Sequence, residues 1–515
     1  MNGLGETERA LQRVARGMGI VLVGTVLSMF LTFLSRAIIA RYFDRYQYGS
    51  FTLTMTILSI AMTVALLGLQ SGLPREISRY LRDRREKVPA LVSTGIAMAL
   101  TASLVMVVLT VLLAPSLAPL LNDRYLDETL PLTSPAIPFM VLTMLLVAVS
   151  RGHGRVRENL YYRNLLPPLL FLAILVAGLV AGAGYTFVFV AYVISQVLSS
   201  LLLVRESFRL GFLPKKPVMD WKLVRELFLF SLPLMLTGIL DYVMGWTDSL
   251  MLGYYFDPDT VGLYNGAAPI ARLLPLFLNS MGFLYMPIAT AFFTSGDIDG
   301  LRKLYRTTTR WVFILTFPVF LFVFVFPESA INLFFGPKYT DAATALRILS
   351  AGFMFHVMMG LNGMSLIAVG EPSANLTGNL FAAAANVALN IVLIPIYGIE
   401  GAAVATAVSY VTANLYRTWW LHRKTGIHPF GWNYLKTLLP GLGLVGGTAL
   451  LGIDGGLIIA AAVTIAVYAG YVILILLLRT AEKEDIELIE AVEARTGTNL
   501  GPVKRLLSRF ISGTG

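Results

Sequence analysis

Apolar runs of about twenty residues follow one another along nearly the whole chain, the length a helix needs to cross the hydrocarbon core of a bilayer. Inside lipid every backbone polar group must be satisfied within the protein, which leaves only helices or closed barrels. The runs here are continuous rather than alternating, and that selects helices. The expected spans are 17–40, 48–71, 89–113, 134–150, 165–182, 186–204, 228–253, 263–292, 310–326, 344–367, 373–396, 401–421, 434–452 and 456–478. The charged fraction is 14%, where a soluble chain carries about 25%. The run 17–40 is too long for a signal-peptide core and no obvious cleavage site follows it, so it reads as the first membrane helix. The expected fold class is an all-α integral membrane protein of about fourteen transmembrane helices.

The net charge of +10 would suggest nucleic acid in a soluble protein. Here topology accounts for it. With the N-terminus in the cytoplasm, 33 of the 40 Lys and Arg residues fall in inner segments, as the positive-inside rule requires. Both termini are then cytoplasmic, the span count is even, and the basic clusters meet anionic headgroups. Nucleic acid is not an expected partner; membrane lipids are. The expected location is the cell membrane.

An internal repeat supports two lobes. Tyr42-Phe43-Asp44 with Gly49 matches Tyr255-Phe256-Asp257 with Gly262 at an offset of 213, and Pro74 matches Pro287 at the same offset. Six spans separate the halves, so they share one orientation and are related by a pseudo-two-fold axis along the membrane normal, a plan common among transporters. The domains expected are a tail at 1–16, an N-lobe of helices 1–6 at 17–211, a C-lobe of helices 7–12 at 226–425, two extra helices at 434–478 and a tail at 479–515. In that tail, Leu506, Leu507, Phe510 and Ile511 alternate with Lys504, Arg505 and Arg509. The segment reads as a basic amphipathic helix on the inner surface or as a solvated tail.

Catalytic motifs are missing. The sequence has no GxxxxGK[ST], HExxH or GxSxG run, no cysteine, and only the scattered His153, His356, His422 and His428. Asp257 and Asp259 can be read as a metal-holding pair or, more simply, as a proline-containing acidic turn. The chain is expected to be no enzyme and to need no cofactor, with Na+ or H+ as candidate coupling ions.

Ionisable groups within the spans are the candidate site, because they are costly in hydrocarbon and usually face a cavity. Asp241 and Asp248 lie seven apart on one face of the seventh helix. They suit a cation, sugar hydroxyls or an ion pair between lobes. Arg36 and Arg272 offer forked donors that match phosphate oxygens, and Arg36 is also near enough to its helix end to snorkel. His356 reads as a titrating group or a packing one. Asn386 and Asn390 share a helix face at i, i+4, where interhelical hydrogen bonding is the plainer role. Pro233, Pro269 and Pro275 are expected to kink helices seven and eight.

Four segments carry a resemblance: ARYFDRYQYGSF (40–51), TDSLMLGYYFDPDTVGLYNGAAPIA (247–271), FGPKYTDAATALRIL (335–349) and NVALNIVLIPIYGIEGAAVATAVSY (386–410). In this order they resemble the polysaccharide transporter branch of the multidrug/oligosaccharidyl-lipid/polysaccharide exporter superfamily, to about residue 480. The resemblance implies a central cavity that opens alternately to each side. It implies a polyprenyl-(pyro)phosphate-linked oligosaccharide as cargo, an ion gradient or membrane potential as drive, and polysaccharide-assembly enzymes as candidate partners. Asp248 falls on the acidic position before the leucine-glycine of the family's seventh helix, and Arg36 on the basic position before its alanine-arginine pair. Asp241, Arg272 and His356 match no family motif. The competing readings are a drug or cation antiporter, which usually lacks helices thirteen and fourteen, and a membrane glycosyltransferase, for which the short outer loops leave no domain.

Overall fold

In the computed structural model the chain is described over residues 6–508, apart from 156, 215–217, 219, 454, 483, 487–489, 491–492 and 494–500. Side chains are described from residue 24, except 233–234, 236–244, 283–284, 503 and 506–508 within helices. The described residues form helices joined by turns and loops, with no strand among them.

The helices are α1 (Glu6–Tyr42), α2 (Arg45–Ala65), α3 (Leu69–Asp83), α4 (Val88–Leu120), α5 (Leu126–Thr133), α6 (Ala136–Gly152), α7 (Leu166–Val180), α8 (Thr186–Arg209) and α9 (Trp221–Tyr255). They continue as α10 (Pro258–Ala271), α11 (Leu276–Thr294), α12 (Ile298–Val325), α13 (Pro327–Phe334), α14 (Ala343–Met358), α15 (Asn362–Ala368) and α16 (Pro372–Thr425). The last three are α17 (Trp432–Leu450), α18 (Gly456–Leu477) and α19 (Gly501–Ser508). Among the described residues nine helical segments are long and apolar enough to cross a membrane, or up to 11 if each of two bent pairs is one span.

Several expected boundaries move, each for a local reason. The expected helix 263–292 is two helices, α10 and α11, bent by 50°; Pro275 has no N–H to donate and opens the second. The span expected at 134–150 is joined to α5 through a 44° bend. The expected 344–367 breaks between α14 and α15 at Gly360, which takes φ +65°. The two expected spans 373–396 and 401–421 run together as α16, interrupted at Gly398 (φ 56°, ψ −126°). Pro233 lies within α9, with its side chain outside the described residues. Leu506 and Leu507 lie within α19, their side chains likewise outside the described residues, while Phe510 and Ile511 lie wholly outside them.

Two compact units divide the chain: Ile20–Asn265, and Gly266–Gly515 together with Met1–Gly19. In the first, most of α2 from Tyr48 onward is buried, whereas most of α4 is not. That difference explains the sequence of α2. Thr52, Thr54, Thr56, Ser59 and Thr63 each donate a hydroxyl hydrogen to the carbonyl four residues back. Polar side chains thus satisfy themselves on the helix and can face a protein interior within the membrane. Leu104, Val105, Val108 and Leu112 of α4 are exposed instead, as lipid-facing residues should be.

In the second unit, α16 packs on α14 and α15, and α12 packs on α11, α14, α17 and α18. After α18 the chain turns back onto α12. The buried Arg310 donates to the Thr480 carbonyl at 2.7 Å and pairs with Asp485 at 2.6 Å and Glu482 at 3.0 Å. The Trp311 indole N–H reaches the same Asp485 carboxylate at 2.8 Å.

Candidate functional site

The first unit encloses a cavity of about 330 Å³ among α1, α2, α6, α7, α8 and α9. Its wall is mostly apolar and adaptable: Met55, Met62, Met140 and Met144 supply soft thioether surface beside Phe51, Phe171 and Trp246. Phe51 stacks on Phe171 at 6.5 Å, and Phe171 meets Tyr192 edge-on at 5.6 Å. Hydroxyls of Ser28, Thr32, Ser35, Ser59, Thr143 and Tyr192 break this surface, and two guanidinium groups line it, those of Arg36 and Arg163.

Arg36 sits in the span of α1, half-buried. Its guanidinium carbon lies 5.6 Å from the centre of the Trp246 ring on α9. Among the described residues it has no ion pair, so its forked donors are left for whatever enters the cavity. Arg163 arrives by a different route. Residues Asn159–Leu165 form a π-helical turn immediately before α7. The wider turn carries an extra residue, and such turns cluster at functional sites. Arg163 donates to Asn159 Oδ1 across it at 3.4 Å. Two cationic forks, several hydroxyls and a methionine-rich wall together fit an anionic, oxygen-rich head with an apolar continuation.

At the end of the same unit that the charge bias assigns to the outside, the repeat takes physical form. Asp44 caps α2: its Oδ1 accepts from the Gln47 N–H at 2.7 Å, and Gln47 Oε1 accepts from the Asp44 N–H at 3.3 Å. Asp257 does the same for α10, accepting from the Thr260 N–H at 2.8 Å and its hydroxyl at 2.9 Å. The matched glycines then face one another. A Cβ on Gly49 would lie 1.7 Å from the Pro258 carbonyl oxygen, and one on Gly262 would lie 2.1 Å from that of Arg45. Arg45 and Asp259 close the crossing with an ion pair of 2.9 Å. Asp257 and Asp259 are therefore a cap and an ion-pair partner. Beside them, the Asn122 side chain donates to the final carbonyls of α9, at 2.7 Å for Phe256.

Asp123, next in that loop, is buried, and burial pushes its carboxyl above the usual range while the Tyr125 N–H partly offsets this. A folded-state pKa above the unfolded one means that the native protein binds more protons, so stability falls as pH rises through the interval between the two values. Asp123→Asn keeps an acceptor and removes the charge. It is expected to raise the melting temperature at neutral pH and to flatten its decline from acid to neutral, read by thermal denaturation at both pH values.

The other candidates are placed elsewhere. Asp248 is buried and accepts from the Tyr264 hydroxyl at 2.7 Å, next to an Asn265–Ser249 hydrogen bond of 3.0 Å. Asp241 lies within α9, but its side chain is outside the described residues. The remaining four belong to the second unit. Arg272 stands at the break between α10 and α11, its N–H bonded to the Ala268 carbonyl at 3.1 Å. His356 Nδ1 meets Asn414 Oδ1 at 3.0 Å, an oxygen that also accepts from Asn362 at 3.0 Å. Asn386 donates to Thr406 across the two halves of α16 at 3.2 Å, and Asn390 donates to Asn386 at 3.2 Å. Among the described residues no group of three His, Asp or Glu side chains could hold a metal ion.

The sequence profile of a family described as "Polysaccharide biosynthesis protein" matches residues 14–291, more than half of the chain. This chain belongs to that family. A second profile, MatE, matches residues 233–392. Relatives of this family member include an uncharacterised membrane protein of Methanocaldococcus jannaschii, 24% identical over 80% of this chain and 84% of the relative. A probable low-salt glycan biosynthesis flippase of Haloferax volcanii, Agl15, is 24% identical over 86% of this chain and 91% of its own length. Among solved structures, the lipid II flippase MurJ in an inward closed conformation superposes with a TM-score of 0.72 at 15% identity, covering 88% of this chain and 97% of that one. An inward-facing multidrug transporter gives a TM-score of 0.65 at 14% identity, covering 79% of this chain and 98% of that one. These likenesses show the fold.

For this polysaccharide biosynthesis protein, Arg36 was visible in the sequence because it interrupts an apolar run. Arg163 was not, since residues 151–164 read as an inner loop and its charge was absorbed into the positive-inside bias. The signal available was its position four residues before Pro167-Pro168, which mark a helix start and so place it just ahead of the following span rather than out in a loop. Trp246 gave no signal of its own.

Proposed function

We propose that this protein is a flippase that moves a polyprenyl-(pyro)phosphate-linked oligosaccharide from the cytoplasmic to the outer leaflet, for polysaccharide or glycan biosynthesis. The observation that carries the proposal is the cavity within the membrane helices that presents Arg36 and Arg163 on a soft apolar wall. The guanidinium groups take the phosphate oxygens bidentately, the hydroxyls take sugar, and the prenyl tail stays in lipid. The polysaccharide biosynthesis profile and the flippase relative support the cargo class. The proposed architecture is fourteen spans in two six-helix lobes with two additional helices. The proposed cycle is alternating access, in which the Gly49–Gly262 crossing parts to release the head outside. Asp241 is the proposed carboxylate for a coupling Na+ or H+.

The MatE match over 233–392 favours a second reading, a drug or cation antiporter. The two arginines argue against a cationic cargo, which they would repel. The deciding measurement is the lipid-linked glycan content of a strain lacking the gene, with and without complementation. Accumulated carrier-bound glycan with loss of the finished surface polymer supports the flippase. Unchanged carrier-bound glycan with new sensitivity to cationic drugs would install the antiporter instead.

A further inference from the structure

The second unit gathers cations at one end in a way the cavity does not use. Arg302 and Arg306 lie one turn apart on α12. His422 lies in the last turn of α16, and His428 in the loop that joins α16 to α17. The Arg306 Nε donates to the His428 carbonyl at 3.3 Å, and its Nη2 lies 3.3 Å from His428 Nε2. The two imidazole rings are 5.5 Å apart. Two glycines permit the approach. Gly426 ends α16 with φ +69°, 3.9 Å from the Arg302 guanidinium measured from an added Cβ, and a Cβ on Gly431 would lie 3.4 Å from Arg306 Cδ.

Among the described residues, the charged groups around this cluster are already engaged, Lys303 with Glu484 at 3.0 Å among them. Asp299 pairs with Arg302 on the same helix. Lys424 is taken by Glu371 at 2.7 Å, and Arg423 lies over the Trp419 ring at 5.5 Å. Glu482, on the segment after α18, is held by Arg310 at 3.0 Å and by Asn433 at 2.6 Å. Arg306 is left with no ion pair among the described residues, facing two imidazoles and a second guanidinium. Arginine only donates, so the 3.3 Å approach fits His428 Nε2 as the acceptor. Burial and the neighbouring Arg306, His422 and Arg302 indeed hold His428 below its usual pKa. Asp299 answers Arg302, but no described carboxylate pairs with Arg306, so the two guanidinium groups still oppose one another, and an anion would turn that repulsion into shared binding.

Depth identifies the kind of anion. Trp419 is half exposed one turn from His422, and Trp432 is largely exposed just after Gly431. Tryptophan at helix ends marks the headgroup level of a membrane. We infer that Arg302, Arg306, His422 and His428 form a binding site for a phosphate-bearing anion at the membrane surface, separate from the cavity in the first unit. The source is either a phospholipid or polyprenyl phosphate headgroup, or a soluble phosphate such as pyrophosphate.

The full chain in phosphatidylcholine nanodiscs tests this. It has four histidines, so the imidazole signals can be followed by nuclear magnetic resonance after ¹³C labelling of histidine, with His428→Gln assigning the one of interest. A bound anion stabilises the imidazolium, so added pyrophosphate should raise the His428 midpoint by about one pH unit, equal to about tenfold tighter binding to the protonated form. Binding should strengthen as pH falls. Nanodiscs of phosphatidylcholine and phosphatidylglycerol in equal parts should produce the shift without pyrophosphate if the source is lipid. A response to pyrophosphate alone assigns a soluble ligand. Arg306→Gln should abolish the shift; should that variant fail to fold, Arg302→Gln and His422→Asn replace it. If neither anion moves His428, or if the folded variants respond as the parent does, the cluster merely complements the C-terminal end of α16 and the site does not exist.

Discussion

If the cavity takes the proposed lipid-linked glycan, replacing Arg36 with alanine should lower its transport about ten- to a hundredfold while the protein remains folded in the membrane. A hydrogen bond to a charged group is worth about 1.5–3 kcal/mol, and each factor of ten in binding corresponds to about 1.4 kcal/mol. Arg36 faces the cavity across Trp246, and no carboxylate on the described residues is stranded when it goes. The loss should therefore fall on cargo rather than stability. Arg163→Ala should fall similarly, because its side chain reaches the same cavity. Lysine at either position should rescue only in part, since it keeps the charge but not the planar fork. The measurement is flipping of labelled carrier in proteoliposomes, alongside the melting temperature of each variant. Wild-type flipping by both alanine variants would sink the assignment of this cavity to the phosphate.

The second large effect is at the helix crossing. Gly49→Ala places a methyl carbon 1.7 Å from a backbone carbonyl oxygen, and Gly262→Ala one 2.1 Å from another. Neither neighbour is a flexible side-chain tip that can step aside. Overpacking in a well-filled interior costs about 1–3 kcal/mol, and backbone against backbone belongs at the upper end. Because the chain has no cysteine, Arg45→Cys with Asp259→Cys gives one unambiguous reporter of the approach. The pair should form a disulfide readily in the parent background and several-fold more slowly once Gly49 is alanine. Equal cross-linking in both backgrounds would show that the glycines do not set the distance.

Much of the helical content could be read directly from apolar runs, because lipid leaves the backbone few alternatives. Breaks within the runs were harder. Gly398 and Gly360 interrupt helices through φ values open to glycine, but neither differs in sequence from glycines that continue a helix, such as Gly446 or Gly470. The repeat was read as Tyr-Phe-Asp and a glycine. Its physical content, an N-cap followed by a crossing point, needs the partner helix to be seen. Among the polar candidates, spacing alone put Asp241 and Asp248 together on one face. Only packing reveals that Asp248 is met by Tyr264, sixteen residues on. Spacing also found Asn386 and Asn390: Asn386 bonds Thr406 across the break in α16, while Asn390 bonds Asn386 along its own helix.

The π-helical turn at Asn159–Leu165 has a bearing on how such a protein can diversify. A turn of this kind is an α-helical turn with one residue inserted, and one residue in an α-helix corresponds to about 100° of rotation. Losing a single codon there would restore the regular turn and swing Arg163 away from the cavity, leaving every apolar run intact. The number of positive charges offered to a cargo can thus change between descendants through one small deletion that hydropathy profiles would not register.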